Sequence, residues 1–385
     1  MALGAGCGSG AGQGPDGGAA GTGTAGSGGN VAGSGGSGGN GGGGMGGSVP
    51  VVQTCVPPAA IDQPAAMLSQ TGCMDPTDPK KMAASVVAYD VNSPLWSDGA
   101  DKQRGMALPT GAKIHVKSCA AAPAECTQGA ADDGKWVLPV GTVLVKSFSF
   151  DGKLVETRLF VHFDATTWVG YSYQWNEAQT QATIVADERV EVPFNTGSRT
   201  VTWHIPSRVD CTQCHTDAAG STLGPETAQM NRVAGGTQNQ IDRFKSLAMF
   251  ETAPATPYKT ALVAPTGTAG TVEERARSYL HANCGFCHRP DDPNFANMDL
   301  RRDVAFKDTN TCNVMPEKGN QGVPTSLIIT PGMPAQSLVV LRMMAAPEDS
   351  TGKHGRMPKL ASYVVDNAAV TLISNWITSL TGCPQ

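Results

Sequence analysis

The sequence predicts a multidomain α+β protein, in which a β-rich, sandwich-like N-terminal domain precedes a mostly α-helical region. Two observations predict this order. Residues 55–200 contain several short alternating runs separated by turn signals, as antiparallel sheets do. Residues 271–385 begin with a helix-capping pattern and end with apolar residues at helical spacing. The domain boundaries that follow from composition are 1–54, 55–200, 201–255, 256–270 and 271–385.

The first segment, 1–54, is dominated by glycine. Residues 1–50 hold 24 of the 47 glycines of the chain, mixed with Ser, Ala, Thr and Asn. Such a composition offers little apolar surface to bury, so we expect a flexible, disordered tether. Near its start, Leu3-Gly4-Ala5-Gly6-Cys7 is similar to the end of a bacterial lipoprotein signal. No basic or apolar region precedes it, so a lipid anchor at Cys7 competes with an incidental cysteine.

The β-rich prediction for 55–200 depends on four alternating runs. Residues 142–150 and 153–163 flank Asp151-Gly152, which is a signal for a type I′ hairpin turn. Two further strands are expected at 168–175 and 182–185. His115 and His162 lie in strand-like segments, where a single histidine is more often hydrogen-bonded within the fold than a metal ligand.

A five-residue motif, Cys-x-x-Cys-His, occurs twice, at 211–215 and at 284–288. Cysteines at this spacing reach two vinyl groups on one edge of a porphyrin, and the next residue offers an imidazole to the iron. The motif is typical of covalently attached haem c, so we predict two such haems. The cofactor-binding residues would be Cys211, Cys214, Cys284 and Cys287, with His215 and His288 as iron ligands. Segment 201–255 is then the first haem-binding segment.

Two other kinds of site use paired cysteines. A four-thiolate zinc site usually has about 15–20 residues between its pairs, whereas 69 residues separate Cys214 from Cys284. A thioredoxin-like redox pair belongs to a strand–turn–helix unit, and neither motif has that context. Haem attachment is therefore the favoured interpretation of both motifs. Proline and glycine between them mark a linker at 256–270.

Six cysteines remain besides Cys7 and the two motifs. An even number is typical of disulfides in an oxidising compartment, although six cysteines allow 15 connectivities and buried free thiols are the alternative. The most local pairing is Cys55–Cys73, Cys119–Cys126 and Cys312–Cys383. Haem attachment to this motif is itself extracytoplasmic. We therefore expect a protein of the bacterial periplasm or an outer-membrane lipoprotein.

The last segment has the element order of a known haem domain. Thr271–Glu274 is a capping box for a helix that leads into Cys284, and Asp366 is a good N-cap for a closing helix. Met357 precedes a proline in the loop between the two helices. Residues 271–385 therefore resemble a class I cytochrome c domain. This resemblance implies that the helical half of the chain is a cytochrome c-type haem region.

More widely, the chain is similar to a bacterial dihaem c-type cytochrome family that places a β-rich domain before two Cys-x-x-Cys-His motifs. The similarity covers roughly residues 85–385. The segments that carry it are Pro94–Ala100, Glu156–Arg158, Tyr173–Asn176, Pro206–Arg208, Asn283–His288 and Arg356–Pro358. It implies two haems and electron transfer, and it assigns no chemistry to the β-rich domain.

The distal ligand of the second haem is expected to be Met357, since His/Met ligation raises the potential and leaves no vacant site on the iron. Met333, which also precedes a proline, is the main rival. Met343 and Met344 lie in an apolar helical run, where methionine usually fills a core. Nearby, Arg342 and Arg356 are candidates for contact with haem propionates, with solvated surface charge as the alternative.

The distal ligand of the first haem has no motif behind it. Met230 is the candidate for this ligand, with Met249 and His204 as alternatives. Met230 follows His215 by 15 residues at the end of a short predicted helix, where packing into the helix core is the competing role. A first haem with an open sixth position is the remaining alternative, and it would change the function.

Composition narrows the function. The net charge is −5 and the pI about 5.8, so nothing indicates nucleic acid as a partner. We expect an electron-transfer protein that passes electrons between its haems and onward to a redox partner protein. The alternative is a haem enzyme, peroxidase-like or a substrate oxidoreductase, with an open site on the first haem. A docking role for the β-rich domain is compatible with either.

Overall fold

The computed structural model describes residues 54–293, 297–347, 355–359 and 362–385, and contacts group them into one compact unit. Cys7 and the predicted tether before residue 54 lie outside the described residues. The strands are β1 Val87–Tyr89, β2 Asp101–Ala107, β3 His115–Val116, β4 Trp136–Val137, β5 Val143–Phe150, β6 Lys153–His162, β7 Trp168–Trp175, β8 Ala182–Ile184, β9 Val190–Asn195 and β10 Thr200–Ile205. The α-helices are α1 Arg208–Thr212, α2 Thr227–Met230, α3 Gln240–Ser246, α4 Val272–Asn283, α5 Leu338–Met344 and α6 Asn367–Ser379.

A six-stranded antiparallel sheet in the order β1-β2-β5-β6-β7-β8 dominates the first half. The hairpin β5–β6 lies at its centre, and its turn residues Asp151 and Gly152 have φ of 50° and 79°. Two successive positive φ angles are what a type I′ turn requires, so the predicted hairpin is confirmed. Two smaller antiparallel pairs, β3–β4 and β9–β10, complete the strands of this region.

The two faces of the large sheet are covered differently. Residues near the N-terminus cross one face, where the hydroxyls of Tyr171 and Tyr173 each donate, at 3.0 Å, to the carbonyls of Ile61 and Ala65. No second large sheet packs on the opposite face within the described part of the chain; the first Cys-x-x-Cys-His segment lies there instead. The expectation of a sandwich is therefore wrong, because this face is covered by irregular segments and by the small pair β9–β10, whose Trp203 packs on Phe148 and Phe150.

The expectation of a mostly α-helical second half is also wrong. Only about 20% of the described residues are helical, and those of 271–385 hold three α-helices of 12, 7 and 13 residues. The predicted helix starts are present, since Thr271 and Asp366 both cap their helices. Between Cys284 and Ser337, however, six prolines and four glycines interrupt the chain, so loops and single 3₁₀ turns replace helices.

The loop that precedes β2 joins the sheet to the second motif region. Ser93 Oγ donates to the Ser278 carbonyl at 2.9 Å, and the Trp96 amide donates to Asn283 Oδ1 at 2.7 Å. The Trp96 indole donates to the Val364 carbonyl at 2.9 Å. A short loop of the β-rich region therefore holds α4 and the segment before α6. No helix in the described ranges is long and apolar enough to span a bilayer.

Six cysteines form three disulfides in the predicted local pairing. These are Cys55–Cys73, Cys119–Cys126 and Cys312–Cys383, with sequence separations of 18, 7 and 71. The long third loop joins the chain before α5 to the residues after α6. Cross-linking a long loop removes more conformational entropy from the unfolded chain than cross-linking a short one. The third disulfide should therefore contribute most to stability.

Replacing Cys312 and Cys383 together by serine should lower the free energy of unfolding by about 4 kcal/mol, whereas the Cys119→Ser, Cys126→Ser pair should cost about 2 kcal/mol. Urea unfolding followed by tryptophan fluorescence measures both values. Equal losses in the two double variants would contradict a loop-length origin of the difference.

Candidate functional site

The first motif begins in the short helix α1. Ser207 and Asp210 form a capping box, in which the Asp210 amide donates to Ser207 Oγ at 3.3 Å and the Ser207 amide donates to Asp210 Oδ2 at 3.0 Å. Burial alone would raise the pKa of Asp210, but an ion pair with Arg189 at 2.6 Å and these hydrogen bonds lower it. The helix is thereby anchored just before Cys211, and the amide of His215 donates back to the Cys211 carbonyl.

This motif lies directly on the large sheet. A Cβ atom added to Gly170 of β7 would lie 2.8 Å from Cys211 Sγ, so only glycine permits this approach. On the neighbouring strand, the ring of Phe160 lies 4.1 Å from the imidazole of His215, centroid to centroid. The strands thus place Cys211 and His215 side by side on one face of the sheet.

The imidazole of His215 is neutral and has a defined tautomer. Its Nδ1 lies 2.6 Å from the carbonyl oxygen of Ser221. A carbonyl only accepts, so Nδ1 carries the proton and the lone pair of Nε2 is left for another partner. Burial lowers the pKa of His215 to about 4 although the Ser221 hydrogen bond opposes the shift, and Lys146 and Arg158 lower it further. This is the tautomer and charge that metal-ligating histidines use.

Next to His215 is a cavity of about 480 Å³, which we call the first cavity. One wall is the sheet, and the other includes Cys211, Cys214 and His215 together with Phe286 from the second motif. Its lining is rich in cationic side chains: Arg104, Lys117, Lys135, Lys146, Arg158, Arg189 and Arg289. The first cavity is therefore suited to a large, partly apolar ligand that carries negative charge.

The second motif follows helix α4 without a break. Thr271 and Glu274 form the predicted capping box, and the Cys284 amide donates to the Leu280 carbonyl at 2.8 Å. Gly285 lies close against α4, since a Cβ there would be 2.9 Å from the His281 carbonyl oxygen. The His288 amide donates to the Cys284 carbonyl at 2.8 Å. Both motifs therefore fold into the same tight turn.

A second cavity, of about 370 Å³, adjoins His288. Cys284 and Cys287 line it, with an apolar wall formed by Leu300, Ile328, Ile329, Leu338 and Val339. Burial lowers the pKa of His288, so its imidazole is neutral. Its Nδ1 is buried and has no hydrogen-bond partner within the described residues. A buried polar atom without a partner costs about 1–3 kcal/mol, so an additional bonding partner at this histidine is favoured.

The methionines divide clearly between the second cavity and other surroundings. Met357 and Met343 both line the second cavity, whereas Met333 and Met344 are 51% and 57% exposed and do not. Two further lining residues, Met298 and Met315, carried no sequence signal. Met357 thus lines the same cavity as His288, and Met343, Met298 and Met315 line it as rivals.

Two arginines, Arg342 and Arg356, hold the loop that carries Met357. The guanidinium of Arg356 donates to the carbonyls of Ala345, Ser362 and Tyr363 at 2.6–2.7 Å. The Met357 amide donates to the Arg342 carbonyl at 3.1 Å. Arg342 lines the second cavity, whereas Arg356 does not. Arg356 therefore positions the loop, and of the two arginines only Arg342 lines the second cavity.

The structure does not bring Met230 to His215. Its side chain is fully buried in the core beside Ile241 and Phe244, and its sulfur accepts from Gln240 Nε2 at 3.6 Å. Met230 is absent from the residues that line the first cavity. Met230 therefore has the alternative role of core packing at the end of a short helix, and its ligation has no geometric support.

The other candidates near the first haem motif differ in placement. Met249 packs in the same core as Met230 and does not line the first cavity, whereas His204 does line it and stacks on Tyr363 at 3.3 Å. Sequence reasoning missed Lys146, which lines this cavity too. The available signal was a single charge within the otherwise largely apolar strand β5.

The two cavities meet at the motifs themselves. Cys214 and Phe286 belong to the walls of both. The thiol of Cys287 donates to the Gln213 carbonyl at 3.6 Å and is hydrogen-bonded with the thiol of Cys214. This contact raises the pKa of Cys214 and lowers that of Cys287. Two motifs 69 residues apart in sequence are therefore in contact in space.

The contact between Cys214 and Cys287 does not create a zinc site. Among the described residues, which include all four motif cysteines and both motif histidines, no group of three or more His, Cys, Asp or Glu could hold a metal ion. His115 and His162 have the structural roles expected of them, since His115 contacts Glu125 and Glu251 and His162 bonds to the Leu138 carbonyl.

Glu226 and His281 tie the two motif segments together. His281, three residues before Cys284, places Nε2 at 2.8 Å from Glu226 Oε1, ahead of α2. Burial alone would raise the pKa of Glu226, but His281, with smaller contributions from Lys259 and Lys135, lowers it to about 2. The ionised carboxylate is therefore part of the folded state at neutral pH.

The comparisons with known proteins identify no relative: no family model, no curated protein and no solved structure matches the chain.

Glu226→Gln is expected to lower the free energy of unfolding at pH 7 by up to about 3 kcal/mol. A lowered carboxylate pKa stabilises the folded state above the unfolded value of 4.5, and this contribution is lost as pH falls toward 2. Urea unfolding across pH 2–7 should therefore show the wild-type and variant curves converging in acid. The exposed Glu177→Gln serves as control and should parallel wild type; a Glu226→Gln curve that does the same would refute the linkage.

Proposed function

We propose that this protein is a dihaem c-type cytochrome that transfers electrons by means of two covalently bound haems. The observation that carries the proposal is that each Cys-x-x-Cys-His motif borders its own cavity, and that the two cavities adjoin at Cys214 and Phe286. The cavity volumes lie in the usual range for ligand sites. The resemblance to the dihaem cytochrome family, carried by the segments named above, points the same way.

The chain supplies residues for each part of such a site. Cys211 and Cys214 would hold one haem by thioether bonds, with His215 offering Nε2 while Nδ1 donates to the Ser221 carbonyl. Cys284 and Cys287 would hold the other, with His288 and Met357 facing the same cavity. When bound, each haem would supply a one-electron Fe(III)/Fe(II) couple.

The contact between Cys214 and Cys287 favours transfer from one centre to the other. Because each of these residues belongs to a different motif, the attached edges of the two cofactors would be neighbours, with the ring of Phe286 shared by both cavities. Close placement of two redox groups is what rapid internal electron transfer requires. The external redox partner is a protein that the chain does not identify.

We place the protein outside the cytoplasm, in the bacterial periplasm or at the outer membrane. Three disulfides support this proposal, since such bonds persist in oxidising compartments. Covalent haem attachment is itself extracytoplasmic and agrees with it. A lipid anchor at Cys7 belongs to the same proposal, and its residue lies outside the described part of the chain.

One observation favours a second candidate, a haem enzyme with an open site at the first motif. Among the described residues that line the first cavity there is no methionine, Met230 is directed into the core, and the remaining candidate, His204, is stacked on Tyr363. An iron without a sixth protein ligand binds small molecules such as peroxide, so a peroxidase-like or substrate oxidoreductase activity would follow.

The proposal is tested by the intact mass and ferric absorption spectrum of protein matured with a cytochrome c assembly system. Two covalent haems are expected in the wild type, and one in each of the double variants Cys211→Ala, Cys214→Ala and Cys284→Ala, Cys287→Ala. A wild-type protein with one haem or none would refute the dihaem proposal. Two low-spin haems would favour the electron carrier, and one high-spin haem the enzyme.

Met357→Ala should convert the second haem to a high-spin ferric form and lower its reduction potential, because loss of a thioether ligand opens the site. The matched variant Met343→Ala removes the rival side chain that lines the same cavity and should keep the second haem low-spin, because Met357 remains as its ligand. Absorption spectra and a spectroelectrochemical titration measure the effect. The reverse result would make Met343 the ligand.

A further inference from the structure

Three cationic side chains stand directly opposite one another on the large sheet. In the strand register, Arg104 of β2 pairs with Lys146 of β5, which in turn pairs with Arg158 of β6. All three line the first cavity. Like charges at directly opposed positions destabilise a sheet, so this arrangement, which we call the cation row, needs a compensating charge.

Only the outer members of the cation row have carboxylate partners. Arg104 pairs with Asp90 at 2.8 Å, and Arg158 binds Glu156 through two hydrogen bonds of 2.7 and 2.9 Å. The ammonium group of Lys146 forms no hydrogen bond or ion pair with any described residue and lies 5.2 Å from the ring centre of Phe148. The central cation is thus the one without an anion.

Three of the five other carboxylates that line the first cavity are engaged in ion pairs, and Asp217 and Asp291 line it as well. Asp132 pairs with Lys135 at 2.9 Å, Asp210 with Arg189 at 2.6 Å, and Glu226 with His281 at 2.8 Å. Burial lowers the pKa of Lys146 far below its usual value, and Arg104, Lys102 and Arg158 lower it further, with Glu156 opposing. An anion that enters the cavity would relieve this destabilisation of the charged lysine.

The distance from the motif also suits a large ligand. Cys211 lies over Gly170 of β7, whereas Lys146 lies two strands away and two residues further along. With strands about 4.8 Å apart and a rise of about 3.4 Å per residue, the Cα atoms of Gly170 and Lys146 are about 12 Å apart. A rigid macrocycle attached at one side of the cavity therefore reaches the cation row with its opposite edge.

We propose that the cation row Arg104–Lys146–Arg158 is a carboxylate-binding subsite that takes the propionate groups of the haem attached at Cys211 and Cys214. The inference rests on the proposed function and adds the orientation of that haem. Its attached edge lies at the motif and its carboxylates lie over β2, β5 and β6. Lys146 then acts as a positioning residue whose charge also favours the reduced haem.

The test compares Lys146→Gln, Lys146→Arg and the exposed control Lys80→Gln in the mature full-length protein. Intact mass counts the haems, the ferric spectrum reports the spin state, and spectroelectrochemistry measures each potential. The haem whose potential does not respond to Met357→Ala is assigned to the first motif. Lys146→Gln should reduce the equilibrium constant for reduction of that haem about tenfold or more, because a nearby positive charge is lost. Lys146→Arg, which keeps the charge, should stay close to wild type, as should Lys80→Gln.

Each result of this experiment supports or overturns the propionate subsite or the proposed function. A first-haem potential that is equal in Lys146→Gln and Lys80→Gln would overturn the subsite. A change of spin state in Lys146→Gln that Lys146→Arg does not reverse would make Lys146 an iron ligand and would also overturn it. Failure of Lys146→Gln alone to acquire its first haem would support it. A wild-type protein that carries no haem at Cys211 and Cys214 would instead refute the proposed function itself.

Discussion

The close approach of the first motif to the sheet is the constraint on which the rest of this structure depends. Gly170 has no side chain, and Cys211 Sγ occupies the space where one would be. A side chain at this position would force Cys211 Sγ to move, whereas the ring of Phe160 on the neighbouring strand already contacts the imidazole of His215. The first cavity exists because the motif lies over one part of the sheet face and leaves the neighbouring strands uncovered.

Polar contacts of helix α4 hold the second motif beside the first. Helix α4 ends at Asn283, whose amide group accepts from Trp96 and donates to the Tyr279 carbonyl. His281 on the same helix meets Glu226, which lies on the first motif's side of the cavity. These polar contacts are short and at least partly buried, so they fix direction as well as proximity. The meeting of Cys214 and Cys287 is the result.

The sequence correctly predicted the Asp151-Gly152 turn, the helix caps at Thr271 and Asp366, and the pairing of the three disulfides. The haem chemistry that the Cys-x-x-Cys-His spacing predicts stays a prediction. Helical content of the second half was overestimated because a helix at each end says nothing about the proline-rich chain between. The sequence could not place Met230, because apolar periodicity does not separate a core sulfur from a ligand. For Lys146 it offered a single charge in β5, but the cross-strand register that sets it beside Arg104 and Arg158 is not encoded locally.

The loop that carries Ser93 and Trp96 has a consequence for modularity. It contacts α4 at both Ser278 and Asn283, and it contacts the chain before α6 at Val364, where Asp98 accepts from the Val364 amide at 2.7 Å. The C-terminal part, which by sequence resembles a self-contained haem domain, is therefore supported from outside itself. Recombination that exchanged this part between proteins would have to carry the loop along, so the two regions are expected to evolve as one inherited unit.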